Sequence, residues 1–131
     1  MRAVVADAGP LYAAVDEADE HHRRATKDLE KLAIDKRLIM VSYPTLLEAH
    51  ALVLMRLGTV AAQAWLALMS DAAVINPEPE DYRRAVAKIK ELPDQKITLF
   101  DAVVGVLASR LGSPVWTYDH HFDVMRVPVW R

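Results

Sequence analysis

Four short stretches, "AVVAD" (3–7), "RLIMVS" (37–42), "AAVINP" (72–77) and "PVWTYD" (114–119), are apolar almost without interruption and are separated by segments of helical spacing. A strand with one wet face alternates apolar and polar residues, whereas a continuous apolar run needs cover on both faces. Short buried strands alternating with helices therefore predict a three-layer α/β/α architecture around an open parallel sheet of four to five strands. "VPVW" (127–130) is the candidate fifth strand.

The segments between the runs support that reading. "LYAAVDE" and "HHRRATKDLEKLAI" carry helical spacing, with Ala25, Leu29 and Leu32 on one face. Pro44 and Thr45 open a helix that Gly58 punctuates, and "VAAQAWLALM" continues as another. "EPEDYRRAVAKIKEL" places acids before bases, as the helix dipole favours, and "ITLFDAVVGVLASRLG" is entered at Thr98 and closed by Gly112. No repeat or linker interrupts residues 1–131, so one domain is expected.

With 53 % hydrophobic and 26 % charged residues, the chain has enough apolar material for one packed core and is not of disordered type. It has no cysteine, which removes disulfide scaffolds and thiolate metal sites and suits a reducing cytoplasm. "MRAVVADAGP" lacks the long apolar core of a signal peptide. The apolar stretch 49–69 is broken by His50, Arg56, Gly58 and Gln63, so no membrane partner is expected. A net charge of −2 means that any nucleic acid must be met by a local patch or through cations.

In open parallel sheets, ligands bind beyond the carboxyl ends of the strands. Asp7 and Asp119 close the first and fourth runs, Glu48 lies early in the helix after the second, and Asp101 lies in the first turn of the helix before the fourth. Each acid also has a local explanation. Asp7 suits an Asx-turn, Thr45–Glu48 and Thr98–Asp101 read as capping boxes, and Asp119 suits a cap. Caps do not account for acids at both strand ends. Four carboxylates drawn together would repel unless a cation intervened, and hard oxygen donors in that number suit Mg²⁺ or Mn²⁺ rather than zinc.

The pieces "VVADAGPLYAAVDEADEHH", "SYPTLLEAHALV" and "ITLFDAVVGVLASRLGSPVWTYDHHF" resemble the PIN-domain family, and within it the VapC-type toxin ribonucleases of toxin–antitoxin pairs, in order and spacing. The likeness covers most of the chain. It implies a sheet of order 3-2-1-4-5 and a Mg²⁺- or Mn²⁺-dependent endoribonuclease acting at Asp7, Glu48, Asp101 and Asp119, with Asp7, Asp101 and Asp119 as metal ligands. It also implies an RNA substrate, a homodimer and inhibition by a cognate VapB-like antitoxin. Thr117 matches the family as an accessory residue that orients a carboxylate or a metal-bound water, and Asp123 is a possible extra acid ranked below Asp119. Ala8 departs from the Ser or Thr often found there, so a hydroxyl is absent at that position.

Other readings are weaker. Adjacent His120 and His121 invite zinc, but neighbouring histidines are expected to diverge and no H-x-x-x-H pattern occurs. Phe122 reads as a buried anchor, Trp116 and Trp130 as core, and His21 and His22 as solvated. A dehalogenase-type phosphatase needs Asp-x-Asp, but position 9 is Gly. A receiver domain needs an Asp after the third strand, where "INPEP" stands instead. A catalytically silent PIN-like binding module, engaging RNA or an antitoxin, is the rival of another class. The basic faces Arg23, Arg24, Lys27, Lys31 and Arg83, Arg84, Lys88, Lys90, with Arg126 and Arg131, are candidates to hold RNA phosphates. The apolar helices between 44 and 69 exceed what one sheet face needs, which predicts a dimer or a groove for an antitoxin helix.

Overall fold

A computed structural model describes residues 2–131. The elements follow in the order β1 (Ala3–Ala6), α1 (Ala8–Ala13), α2 (His22–Ile34), β2 (Leu38–Ser42), α3 (Tyr43–Leu57), α4 (Thr59–Met69), β3 (Ala73–Ile75), α5 (Pro79–Lys90), α6 (Leu99–Leu111), β4 (Val115–Trp116) and α7 (His121–Val124). The strands form one four-stranded sheet of order β3-β2-β1-β4, parallel throughout, with Val4 opposite Ile39 and Val5 opposite Val115. The expected fifth strand is reduced to a single parallel bridge between Val115 and Val129.

The continuous apolar runs are explained by two cores. Val4 and Ala6 join Val41, Trp65 and Trp116 in one cluster beneath α1 to α4. Val5 and Val115 join Val104, Phe122 and Met125 in the other, against α6 and α7. Successive strand residues point to opposite faces, so a strand that feeds both clusters must be apolar at every position. Trp116 and Phe122 are fully buried, as expected; truncating either to Ala should cost about 3–5 kcal/mol.

Local chemistry sets the ends of the elements, and here three expectations are corrected. Asp7 makes no turn that delays the helix: it caps α1 directly, with Gly9 and Pro10 in the first turn, where proline's missing N–H has no partner to lose. α3 is capped by Ser42, whose Oγ accepts from the Thr45 amide at 3.2 Å. Thr45 is therefore inside the helix, and Glu48 takes no part in capping it. β4 spans two residues rather than six, which leaves Thr117, Tyr118 and Asp119 on an extension beyond it.

The remaining ends are as the sequence indicates. Thr98 Oγ1 accepts from the Asp101 amide at 3.1 Å at the start of α6, and Gly112 closes it in the left-handed conformation at φ 65°. α5 is tied to α6 by the Arg110 guanidinium, which donates to both carboxylate oxygens of the buried Asp81 at 2.8 Å each. Among the described residues no helix is long and apolar enough to cross a membrane.

Candidate active site

Asp7, Glu48, Asp101 and Asp119 line one cleft of about 520 Å³ at the carboxyl edge of the sheet. The parallel topology brings them there. Asp7 follows β1, Glu48 lies in the second turn of the helix that leaves β2, Asp101 lies in the first turn of α6, and Asp119 follows β4. Thr117 joins two of the four. Its Oγ1 donates to Asp7 Oδ2 at 2.8 Å and accepts from the Asp119 amide at 3.0 Å, while Asp7 Oδ1 accepts from the Ala8 amide at 2.8 Å. The expected accessory residue thus orients a carboxylate. Asp123 stands apart: it is exposed, pairs with Arg131 at 3.0 Å and does not line this cleft.

No basic group forms an ion pair with Asp7, Glu48 or Asp101 among the described residues, and the acids feel it. Burial, then the charge of Asp101, pushes Asp7 up to about 6, against the hydrogen bonds from Thr117 and Ala8. Burial and the charges of Asp7 and Asp101 push Glu48 up to about 7. Asp101 is raised by burial and by Asp119. An ion pair or hydrogen bond that served only the fold would lower these values. The donor set fits a hard divalent cation: all donors are carboxylate oxygens, already in mutual repulsion. No three of the four acids bring ligand atoms within 4.8 Å of one another; among the described residues that spacing is met by Asp119, His120 and His121.

That trio corrects a second set of expectations. The rings of His120 and His121 do not diverge: their centroids lie 4.3 Å apart at the turn into α7. Asp119 Oδ1 accepts from the His121 amide at 2.9 Å. His121 Nδ1 lies equally near that oxygen but off the line of a hydrogen bond, so the buried nitrogen has no aligned partner. His21 and His22 are not simply solvated either. His22 Nδ1 meets the Ala13 carbonyl at 2.7 Å, and the His21 ring packs on Tyr118 with centroids 5.0 Å apart at the cleft wall.

Two features escaped the sequence reading. Asp28 accepts from Trp116 Nε1 at 3.1 Å and Tyr118 Oη at 2.7 Å, which pins the residues on both sides of Thr117. Arg56 lines the cleft beside the acids, its guanidinium 4.9 Å from the centroid of the Tyr12 ring. Glu48, Leu52 and Arg56 follow one another at four-residue spacing along α3, which is a ridge on a helix surface. That spacing was the available signal.

Comparison with known proteins agrees with this geometry. The PIN domain family model matches residues 4–128. No curated protein sequence matches the chain. Among solved structures, the VapC20 toxin of Mycobacterium tuberculosis, described as cleaving the sarcin–ricin loop, superposes with a TM-score of 0.84 at 20% identity, covering 98% of this chain and 99% of that one. VapBC2 of Rickettsia felis, bound to a DNA fragment from its promoter, gives 0.76 at 16% identity over 98% of this chain and 96% of that one. DNA-bound VapBC of Salmonella typhimurium gives 0.69 at 19% identity over 100% and 96%. With the family model spanning nearly the whole sheet and all four cleft acids, the chain belongs to the PIN domain family.

Proposed function

We propose that the protein is a metal-dependent endoribonuclease of the VapC toxin type. The observation that carries this reading is the set of four carboxylates in one cleft, with no ion pair to Asp7, Glu48 or Asp101 among the described residues. Asp7, Asp101 and Asp119 would hold Mg²⁺ or Mn²⁺, which when bound supplies Lewis-acid stabilisation of phosphoryl charge and a more acidic water. Thr117 fixes Asp7 and the Asp119 backbone in register, so the ligands are positioned before an ion arrives. Among the described residues the Glu48 side chain makes no hydrogen bond, so its carboxylate is free to take a proton from the attacking water once a cation offsets the charges of Asp7 and Asp101 that, with burial, raise it. The leaving ribose oxygen and the water must lie in line across the phosphorus.

The VapBC likenesses also support an antitoxin partner, and the apolar side chains that α3 and α4 leave exposed support a protein interface. Leu47, Met55, Val60 and Leu68 are each more than half exposed. A homodimer or a VapB-like peptide would cover them.

The test is cleavage of total cellular RNA by antitoxin-free protein in Mg²⁺, Mn²⁺ and EDTA, with Asp101→Asn alongside. Discrete fragments that vanish in EDTA and fall at least 100-fold in the variant are expected, on the order of what one charge-stabilising group contributes. Undiminished cleavage by folded Asp101→Asn would remove the assignment. A folded protein that neither cuts RNA nor binds Mn²⁺ would be a binding module instead.

A further inference from the structure

We infer that Arg56 is the residue that holds the RNA strand at this cleft, by pairing with a phosphate next to the scissile one; the inference rests on the nuclease reading above. An acidic cleft on a chain of net charge −2 repels a polyanion wherever a cation does not neutralise it. Some positive group must therefore face the strand beyond the carboxylates.

Most of the basic residues that sequence suggested for this task are engaged elsewhere. Arg24 packs on Tyr118 at 4.2 Å from its centroid and lines a smaller depression that includes Asp119, Asp123 and Arg131 but not Asp7, Glu48 or Asp101, and Lys31 lies 5.2 Å from the centroid of Trp130. Arg83 and Arg84 pair with Glu80, Lys88 with Glu91 and Arg131 with Asp123. Arg126 lines a separate groove between α5 and α6, away from the acids.

Arg56 also rests on an aromatic ring, so what sets it apart is its place in the cleft and the lack of an ion pair. It is the one Lys or Arg side chain lining the acidic cleft, and no carboxylate lies within 4 Å of its nitrogens among the described residues. The acid nearby, Asp16, feels the charge of Arg56 without forming an ion pair with it; it accepts the Tyr12 hydroxyl, and that contact also fixes the ring beneath the guanidinium. A guanidinium resting on an aromatic face keeps its N–H edges outward in a planar fork, the geometry that meets two phosphate oxygens at once. Arg56 stands about two turns, or roughly 12 Å, beyond Glu48 along α3. It is therefore placed for a neighbouring phosphate rather than for the one undergoing cleavage.

The test uses a fluorescein-labelled single-stranded RNA of mixed sequence, measured by anisotropy across a salt series on the non-cleaving Asp101→Asn background. Adding Arg56→Gln is expected to weaken binding about tenfold, as loss of a charge-assisted contact does, and to lower the slope of log K against log salt by about 0.7, one phosphate on a single strand. Arg56→Lys should restore the slope while recovering only part of the affinity. Mn²⁺ affinity and melting temperature of the Arg56→Gln single variant should match those of the parent chain, which a merely structural role would not allow.

Equal affinity and slope in Arg56→Gln, on a parent that binds the RNA, would overturn this inference alone and leave Arg56 to a carboxylate of a protein partner. A parent chain that neither binds nor cuts RNA would overturn the nuclease reading and this inference with it.

Discussion

Thr117 is a small side chain with a large share of the geometry. One hydroxyl gives its hydrogen to Asp7 and receives one from the backbone of Asp119, so two cleft acids from opposite ends of the chain share a single buried atom. Thr117→Val keeps the shape and removes both contacts. It should cost about 1–3 kcal/mol in denaturant unfolding, and it should move the pH midpoint of Mn²⁺ binding upward, because Asp7 loses a bond that favours its charged form. Thr117→Ser should move neither by much. At this scale the sequence was readable where a residue's position along its own element decides its role: Asp7 after a strand, Asp101 in a first turn, Phe122 under a turn. Glu48 was placed with the other acids, but Thr45 and Glu48 also have capping-box spacing, and only the structure removes that alternative by showing Ser42 taking the cap one turn earlier. His21, Asp28 and Arg56 were not legible, since each acquires its meaning from an aromatic partner brought in by the fold.

At the level of elements, the helix that carries Asp101 is fixed by a contact far from the cleft. Asp81 on α5 is only 1% exposed and takes both prongs of Arg110 on α6, while Asp81 Oδ2 also accepts from the Glu78 amide at 2.8 Å. Asp81→Ala leaves a guanidinium without its partner and α5 without half its cap, and should cost about 3 kcal/mol in thermal or denaturant unfolding. A loss below about 1 kcal/mol would show that the pair is solvated rather than clamped. The amphipathic α2 was legible nearly to the residue from its periodicity, and the mostly apolar α6 from its end signals, Thr98 and Gly112. β4 was not. Its apolar run suggested six residues, but pairing with β1 extends only from Val5–Val115 to Ala6–Trp116, after which Thr117 turns its hydroxyl to Asp7. The "VPVW" run has strand composition but only one bridge, at Val129, because Pro128 has no amide hydrogen to continue a ladder.

For the whole molecule, the acids make stability and metal binding depend on pH in a definite direction. In the metal-free fold, burial and the neighbouring carboxylates push Asp7 up to about 6 and Glu48 up to about 7, above their ordinary 3.8 and 4.5. The native state therefore binds protons more tightly than the unfolded chain, and the metal-free protein should lose stability as pH rises from about 4 to about 7. Melting in EDTA should show that decline, and Glu48→Gln should flatten its upper half. Adding Mn²⁺ should raise the melting temperature more at pH 8 than at pH 5.5, because protons compete for the same oxygens; at 100 times Kd the gain is about 2.7 kcal/mol. An equal gain at both pH values would place the ion elsewhere.

The short β4 has a further consequence for the order in which the protein is made. Asp7, Glu48 and Asp101 emerge from the ribosome before the residues that place Asp119, and nothing local to Asp119 puts it near them until Val115 and Trp116 pair with β1. At about 5–20 residues per second, translation from Asp101 to Asp119 takes roughly 1–4 s. A nascent chain within that interval carries three of its four acids and an open edge on β1, so the cleft is completed only when the last strand docks.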